Sequence, residues 1–154
     1  MITVLFVCTG NQFRSPIAAA AFREQLTRDG REKLWQASSA GTWTRNGMPA
    51  PREAVDLART VGLNIEGHST QILDGNLVDQ ANLILVMESG HKESILVEFP
   101  SAKGKTHLLA EAIEGNVFDI PDPASTIGEA SGIIRELVDM VRNGTGRIYQ
   151  LLEG

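Results

Sequence analysis

The residues best suited to chemistry in this chain lie close together near its amino end, in the segment CTGNQFRSP at positions 8 to 16. Cys8 is the single cysteine of the sequence, and a cysteine thiolate is a strong nucleophile. Arg14 follows six positions later and carries a planar guanidinium that can bind two oxygens of one phosphate. A nucleophile and an oxyanion-binding cation at this spacing indicate chemistry on a phosphate group.

The pattern around this segment predicts a turn that leads from a strand into a helix. Residues 2 to 7 form a short, continuous apolar run, which is typical of a strand buried on both faces. From Ser15 the pattern becomes helical, because Pro16 suits the first helical position and apolar residues then recur on one face. The loop of residues 8 to 14 therefore lies where backbone N–H groups and the positive end of a helix can bind an anion.

The side chains of this loop have distinct expected tasks. Gly10 permits close approach or a positive φ, and Asn11 tolerates the left-handed region. The positive potential of the loop favours the thiolate form of Cys8, to which Ser15 can donate a hydrogen bond. The residues expected to bind substrate here are Thr9, Gly10, Asn11, Gln12, Phe13 and Ser15.

The remaining pattern predicts strands that alternate with helices. Further strands are expected at residues 34 to 39, 82 to 87 and 106 to 110, and further helices at residues 51 to 61 and 88 to 98. A last helix is expected from Thr126, with a capping box to Glu129, and the segment Asn143-Gly144-Thr145-Gly146 argues against its running on to Leu152. This order predicts an α/β fold: a single domain, residues 1–154, with three layers in which a roughly four-stranded parallel sheet carries helices on both faces. Ligands bind beyond the carboxyl ends of such strands, where the loop lies.

Composition narrows the functional classes. The 154 residues are 42% apolar and 21% charged, which is typical of a globular domain, and no apolar run approaches the roughly 20 residues needed to span a bilayer. The net charge of −5 argues against a nucleic-acid partner. The first eight residues do not resemble a secretory signal, so a cytoplasmic location without a membrane partner is expected. A single cysteine excludes an intrachain disulfide and a Cys-rich zinc site.

The segment CTGNQFRSP resembles the active-site signature of the low-molecular-weight protein tyrosine phosphatases. The resemblance extends over most of the chain, through SAGT at 39 to 42, GMPAPR at 47 to 52, HSTQ at 68 to 71, ANLILVMESGH at 81 to 91 and Asp-Pro at 122 and 123. It implies a protein tyrosine phosphatase that needs no metal and no cofactor and acts on a phosphorylated protein. A monomer or weak homodimer is expected.

The resemblance also implies a two-step mechanism with three catalytic residues. Cys8 attacks phosphorus and forms a phosphocysteine while Arg14 holds the phosphate oxygens. Asp122 protonates the leaving oxygen and later activates water; Asp119 is a rival carboxylate, but prolines on both sides of Asp122 hold that residue rigidly. His68 resembles the family histidine that supports the loop asparagine.

Two other histidines and two aromatic residues are less defined by the sequence. His91 and His107 are expected to be structural or exposed. Trp43 and Phe13 could supply an apolar surface to the substrate, but Trp43 could equally belong to the core.

The departures from the family pattern bear on the substrate. Many relatives have a second cysteine where this chain has Phe13, so an oxidised Cys8 would have no partner, and an arsenate reductase activity is disfavoured. Ala124 replaces the usual aromatic residue after the Asp-Pro, which weakens one wall of a phosphotyrosine slot. Thr9 resembles the residue found in members that act on phosphoarginine. The alternatives are therefore a protein arginine phosphatase of the same fold and a non-catalytic phosphate-binding module.

Overall fold

The computed structural model describes residues 1–125 and 128–153 of the chain. Within them the four strands are β1 (Ile2–Cys8), β2 (Trp35–Gly41), β3 (Leu83–Val86) and β4 (Thr106–Leu108). The α-helices are α1 (Arg14–Arg28), α2 (Arg52–Thr60), α3 (Gly75–Gln80), α4 (Ser89–Glu98), α5 (Leu109–Glu114) and α6 (Ala130–Glu153). Two short 3-10 helices cover Pro100–Ala102 and Pro123–Ser125.

The strands form one parallel sheet in the order β2-β1-β3-β4. Alternate side chains of β1 enter two different cores, because successive residues of a strand point to opposite faces. Val4 and Phe6 lie in the core that α1, α2, α5 and α6 cover, whereas Leu5 and Val7 lie in the core that α3 and α4 cover. The predicted α/β fold with helices on both faces is confirmed.

The central position of β1 brings the carboxyl ends of three strands together. Cys8, the last residue of β1, pairs with Gly41 at the end of β2, and Val7 pairs with Val86 at the end of β3. The loop after Cys8 is therefore flanked by the segments that follow the two neighbouring strands. Thr42 and Trp43 after β2 and His91 after β3 form hydrogen bonds with Cys8 and Thr9.

Two short helices, α3 and α5, were not predicted from the sequence. Each has only six residues, which is too short for a helical period to stand out. The prediction of a strand over residues 106 to 110 was wrong at its end, because β4 stops at Leu108 and α5 begins at Leu109. Asp74 marks the start of α3, since its carboxylate accepts a hydrogen bond from the Leu77 backbone N–H.

Helix α6 differs from its prediction at both ends. The expected capping residue Thr126 lies outside the described residues, and Gly128 has a φ of 81°, so the helix begins later, at Ala130. The helix also continues past Gly144 to Glu153. Gly144 lies against the Ile113 side chain of α5, where a Cβ has no space. This glycine therefore marks a close helix–helix contact and not a helix end.

In the described part of the chain, no helix combines the length and the apolar character needed to cross a bilayer.

Candidate active site

Three carbonyl groups at the loop after β1 accept hydrogen bonds from other segments of the chain. The oxygen of Cys8 accepts a hydrogen bond from the Thr42 N–H and that of Thr9 from the Trp43 N–H, both at 3.0 Å, and that of Asn11 from a histidine. In a trans peptide the N–H of the next residue points away from the carbonyl. The N–H groups of residues 9, 10 and 12 therefore face the opposite side, where they can bind an anion together with the positive end of α1.

The thiol of Cys8 lies against the hydroxyl group of Ser15. The distance from Sγ to Oγ is 3.0 Å, and both residues are almost completely buried. The Ser15 oxygen accepts a hydrogen bond from the Asn11 amide at 2.9 Å, and its own hydrogen has two acceptors within reach, the Cys8 sulfur at 3.0 Å and the Ala40 carbonyl oxygen at 3.4 Å. This contact agrees with the expectation that Ser15 stabilises a thiolate.

Asn11 fixes the shape of the loop. Its φ is 57°, so the left-handed residue of the loop is Asn11, and Gly10 does not adopt the positive φ that was one of the two possibilities for it. The Asn11 amide donates to Ser15 and to Ser39, and its oxygen accepts from the Gln71 backbone N–H, each at 2.9 Å. These bonds stabilise a conformation that costs a non-glycine residue free energy.

The side chain of His68 contacts the backbone of Asn11. Its Nε2 lies 2.7 Å from the carbonyl oxygen of Asn11, and because a carbonyl only accepts, this nitrogen carries the hydrogen. Burial lowers the pKa of His68, which favours the neutral ring. The expected neighbour of Asn11 is thus present, although the contact is to the main chain.

Gly41 allows the end of β2 to approach the loop closely. A Cβ at this position would lie 2.6 Å from the Thr9 carbonyl oxygen and 3.1 Å from the Asn11 nitrogen. Both atoms belong to the backbone and cannot rotate away. Only glycine fits there without displacement of the loop.

Arg14 is held by hydrogen bonds to Glu88 and to the backbone of Ile120. Its Nη1 donates to the Glu88 carboxylate at 2.6 Å and to the Ile120 carbonyl at 2.8 Å, and the residue is 2% exposed. Glu88 immediately precedes α4, next to the carboxyl end of β3. Two hydrogen bonds from Nη1 fix the position of that nitrogen. Because the guanidinium is planar, they orient the whole group before any ligand binds.

His91 joins Glu88 to the loop. The Glu88 backbone N–H donates to Nδ1 of His91 (3.2 Å), so the hydrogen of a neutral ring is on Nε2, which lies 2.8 Å from the Thr9 hydroxyl oxygen. Burial and the charge of Arg14 lower the pKa of His91, although nearby carboxylates raise it. The expectation that His91 is merely structural or exposed was incomplete, because this buried residue contacts a loop side chain.

The two candidate acids differ in their surroundings. Asp119 accepts a hydrogen bond from the Ser89 backbone N–H at 2.8 Å and so stabilises the start of α4. Asp122 is half-buried, and its carboxylate accepts from the Ala124 N–H at 2.9 Å within the turn that its flanking prolines define. Its charge reaches the site, because it raises the pKa of His91.

The two aromatic residues near the loop have different exposures. Trp43 is 83% exposed, so the alternative of a core position for it is wrong. Phe13 is half-buried and packs against the core at the start of α1. Of the two, Trp43 offers the larger free surface to a ligand.

The match with known families decides the assignment. The family model described as "Low molecular weight phosphotyrosine protein phosphatase" matches residues 3–153. The chain belongs to this family. Its membership confirms the resemblance inferred from CTGNQFRSP and the prediction that the protein is a phosphatase.

Relatives within this phosphatase family have two kinds of name. The chain is 38% identical, over 120 residues, to the "Protein-arginine-phosphatase" of Geobacillus stearothermophilus, which covers 78% of this chain and 77% of that protein. It is 35% identical, over 121 residues, to the "Low molecular weight protein-tyrosine-phosphatase Etp" of Escherichia coli (strain K12), which covers 79% of this chain and 76% of that protein. A solved structure of the arginine phosphatase YwlE, a cysteine-to-serine variant with a phosphorylated active-site serine, has a TM-score of 0.85 and 28% identity and covers 99% of this chain and 96% of that one.

Sequence reasoning missed several residues that build this phosphatase site. They are Ser39, Gly41, Gln71, Glu88 and His91, which hold the loop or its arginine. A signal for most of them was present, since they lie in SAGT and MESGH, directly at or after the carboxyl ends of predicted strands.

Proposed function

We propose that this protein hydrolyses phosphotyrosine in proteins through a phosphocysteine formed on Cys8. The observation that carries the proposal is the 3.0 Å contact of the Cys8 sulfur with Ser15 in a loop closed by the buried Arg14. A nucleophile and a preorganised anion site share this loop, which is the arrangement that phosphoryl transfer needs. The solved structure of YwlE, in which the active-site serine of a cysteine-to-serine variant is phosphorylated, supports the same position.

In the first step the Cys8 thiolate attacks phosphorus, so that an S–P bond forms and the P–O bond to the tyrosine breaks. Arg14 and the N–H groups of the loop bind the three other phosphate oxygens, where negative charge concentrates. Asp122, in its protonated form, donates a proton to the departing phenolate oxygen. The products of this step are free tyrosine hydroxyl and phosphocysteine.

In the second step a water molecule attacks phosphorus and the S–P bond breaks. Asp122, now a carboxylate, takes the proton of the water, and inorganic phosphate leaves. The Ser15 hydroxyl stabilises the returning thiolate of Cys8 by a hydrogen bond. Neither step calls on a metal ion or a cofactor.

The remaining loop residues and their neighbours bind the substrate. Thr9, Gly10 and Gln12 contribute backbone N–H groups, while Asn11 keeps the loop in shape with His68 behind it. Trp43 and Phe13 supply apolar surface for the phosphotyrosine ring, since the position after Pro123 is Ala124. A cytoplasmic location and a monomer or weak homodimer stay predictions.

The first test is hydrolysis of para-nitrophenyl phosphate without added metal. The native protein is expected to be active and its Cys8→Ser variant inactive, because a serine hydroxyl is a far weaker nucleophile. Equal rates for the two proteins, or no activity in the folded and reduced native protein, would refute the proposal.

The role of Asp122 is tested with two leaving groups. Asp122→Asn is expected to lower kcat/KM on a phosphotyrosine peptide by about 100-fold or more but to affect kcat/KM on para-nitrophenyl phosphate much less, because kcat/KM reports the steps up to loss of the leaving group and nitrophenolate leaves without a proton. Asp119→Asn is the matched control and is expected to leave the ratio of the two rates unchanged, since Asp119 caps α4.

A phosphoarginine substrate is the second candidate, and the Thr9 hydroxyl group favours it. This oxygen accepts a hydrogen bond from His91, so its own hydrogen can be donated towards water or a substrate near the sulfur. Two relatives also bear the name protein-arginine-phosphatase. Matched phosphotyrosine and phosphoarginine peptides separate the two candidates, and Thr9→Val is expected to reduce phosphoarginine hydrolysis selectively if phosphoarginine is the substrate.

A further inference from the structure

A groove of about 290 Å³ opens beside the catalytic loop, and of its lining residues only Thr9 and Trp43 also have a part in the proposed function. Its walls come from the loop, from the segment after β2 and from the last turns of α4. Its polar and aromatic lining residues are Thr9, Thr42, Trp43, Ser94, Glu98 and Phe99, and the aliphatic residues Leu73 and Ile95 complete the lining.

The groove has a fixed position relative to the nucleophile. The N–H groups of Thr42 and Trp43 donate to the carbonyl oxygens of Cys8 and Thr9, both at 3.0 Å. One wall of the groove is thus hydrogen-bonded to the same peptide groups that shape the phosphate site. Thr9 belongs to both, so the groove lies next to the phosphate site.

The groove has the chemistry of a cation site. Glu98 supplies an exposed carboxylate at the last residue of α4, where the partial negative charge of the helix end adds to it. Trp43, 83% exposed, and the half-buried Phe99 supply aromatic faces that attract cations. Among the described residues that line the groove, none is Lys, Arg or His.

We propose that this groove binds the side chain of an arginine or lysine that lies next to the phosphorylated residue of the substrate protein. The inference rests on the proposed phosphatase function, whose loop holds the phosphate while the groove selects the neighbour. The net charge of −5 attracts a basic substrate segment. At the loop, the positive charge of Arg14 offsets this negative charge, so that the phosphate group can still bind there. The groove therefore makes the enzyme specific for phosphorylated residues in basic sequence contexts.

The test uses phosphotyrosine peptides that differ in one neighbouring position. Arginine, alanine or glutamate is placed in turn at each of the three positions before and after the phosphotyrosine, and kcat/KM is measured at low ionic strength. At one or two positions arginine is expected to be about five- to tenfold better than glutamate, from one exposed ion pair and one cation–π contact. The advantage is expected to shrink at high salt, because the pair is exposed.

Variants of Glu98 assign the preference to the groove. Glu98→Gln is expected to reduce the arginine-to-glutamate ratio to about twofold or less, and Glu98→Lys to reverse it. Glu93→Gln removes a carboxylate from the same helix outside the groove and is expected to leave the ratio unchanged. Because a ratio is compared within each variant, a general loss of activity does not mimic the result.

A ratio near one at every position in the native protein would overturn the inference, as would a preference that Glu98→Gln leaves intact. A preference for an acidic or apolar neighbour would also overturn it. The proposed function fails differently: the native protein would then hydrolyse neither these peptides nor para-nitrophenyl phosphate.

Discussion

Arg14 and Glu88, 74 residues apart in the chain, form an ion pair in which Nη1 lies 2.6 Å from Oε2. The arginine side chain is 2% exposed, and the glutamate side chain is 35% exposed. The phosphate-binding group of the loop is thus oriented by a residue that follows a different strand. The pair joins the loop after β1 to the start of α4.

Glu88→Gln is expected to lower kcat/KM on para-nitrophenyl phosphate by on the order of tenfold, because Arg14 loses the charge that orients it. The free energy of unfolding is expected to fall by about 1–2 kcal/mol, since a hydrogen bond to a charged group is lost and the carboxylate is partly exposed. Steady-state kinetics and urea unfolding measure the two effects. Glu93→Gln within α4 is the control, and native behaviour of Glu88→Gln in both assays would contradict the role of the pair.

Substitutions of Asn11 separate its backbone role from its side-chain role. Asn11→Gly removes the three side-chain hydrogen bonds but suits a φ of 57°, and we expect it to cost about 2–4 kcal/mol of unfolding free energy. Asn11→Ala removes the same bonds and also strains the backbone, so it is expected to cost about 1 kcal/mol more than Asn11→Gly. Denaturant titration of both variants gives the difference, and equal stabilities would show that the left-handed conformation is not retained.

The stability of the protein is expected to fall below about pH 6.5 in part because of His91. Burial and the charge of Arg14 lower the pKa of His91 against the opposing effects of Glu88, Asp119 and Asp122. The unfolded chain therefore binds a proton at a higher pH than the folded protein does. Between these two pKa values the unfolding free energy decreases as the pH falls.

His91→Gln tests this contribution, because glutamine can still donate to Thr9 but does not titrate. We expect the decline of the unfolding free energy from pH 7 to pH 5 to be shallower in the variant than in the native protein. Urea unfolding at a series of pH values measures both slopes. Parallel curves would mean that the pKa of His91 is not lowered by folding.

Two glycines of α6 are expected to respond in opposite ways to alanine. Gly146→Ala places its Cβ in open space and is expected to stabilise the helix by about 0.5–1 kcal/mol, which raises Tm by about 1–4 °C. Gly144→Ala directs its Cβ into Ile113 and is expected to destabilise the protein by about 1–3 kcal/mol. Thermal unfolding compares them, and a destabilising Gly146→Ala would show that the helix is interrupted there.

The sequence by itself determined the parts of this protein that depend on local pattern. A continuous apolar strand followed by a helical period predicted β1 and α1, and the residue types between them predicted an anion-binding loop with Cys8 and Arg14. The Cys8 sulfur and the Ser15 hydroxyl oxygen lie 3.0 Å apart. The two residues are only seven positions apart, at the two ends of one tight turn, so local structure is sufficient to bring them together. The alternation of strands and helices was sufficient for the parallel sheet.

Only the tertiary structure decided how this loop is held. Glu88 and His91 reach it from the segment after β3, and Gln71 and His68 reach it from a loop more than fifty residues away. Local patterns carry no information on such partners, since the order of strands in the sheet determines which segments meet. The same reason explains the end of α6. A glycine such as Gly144 is typical of a helix end in the sequence, but in the structure it lies inside α6 and contacts Ile113 of α5. Local sequence thus placed the chemistry, and long-range packing fixed its geometry, because a side chain is oriented by neighbours that are distant along the chain.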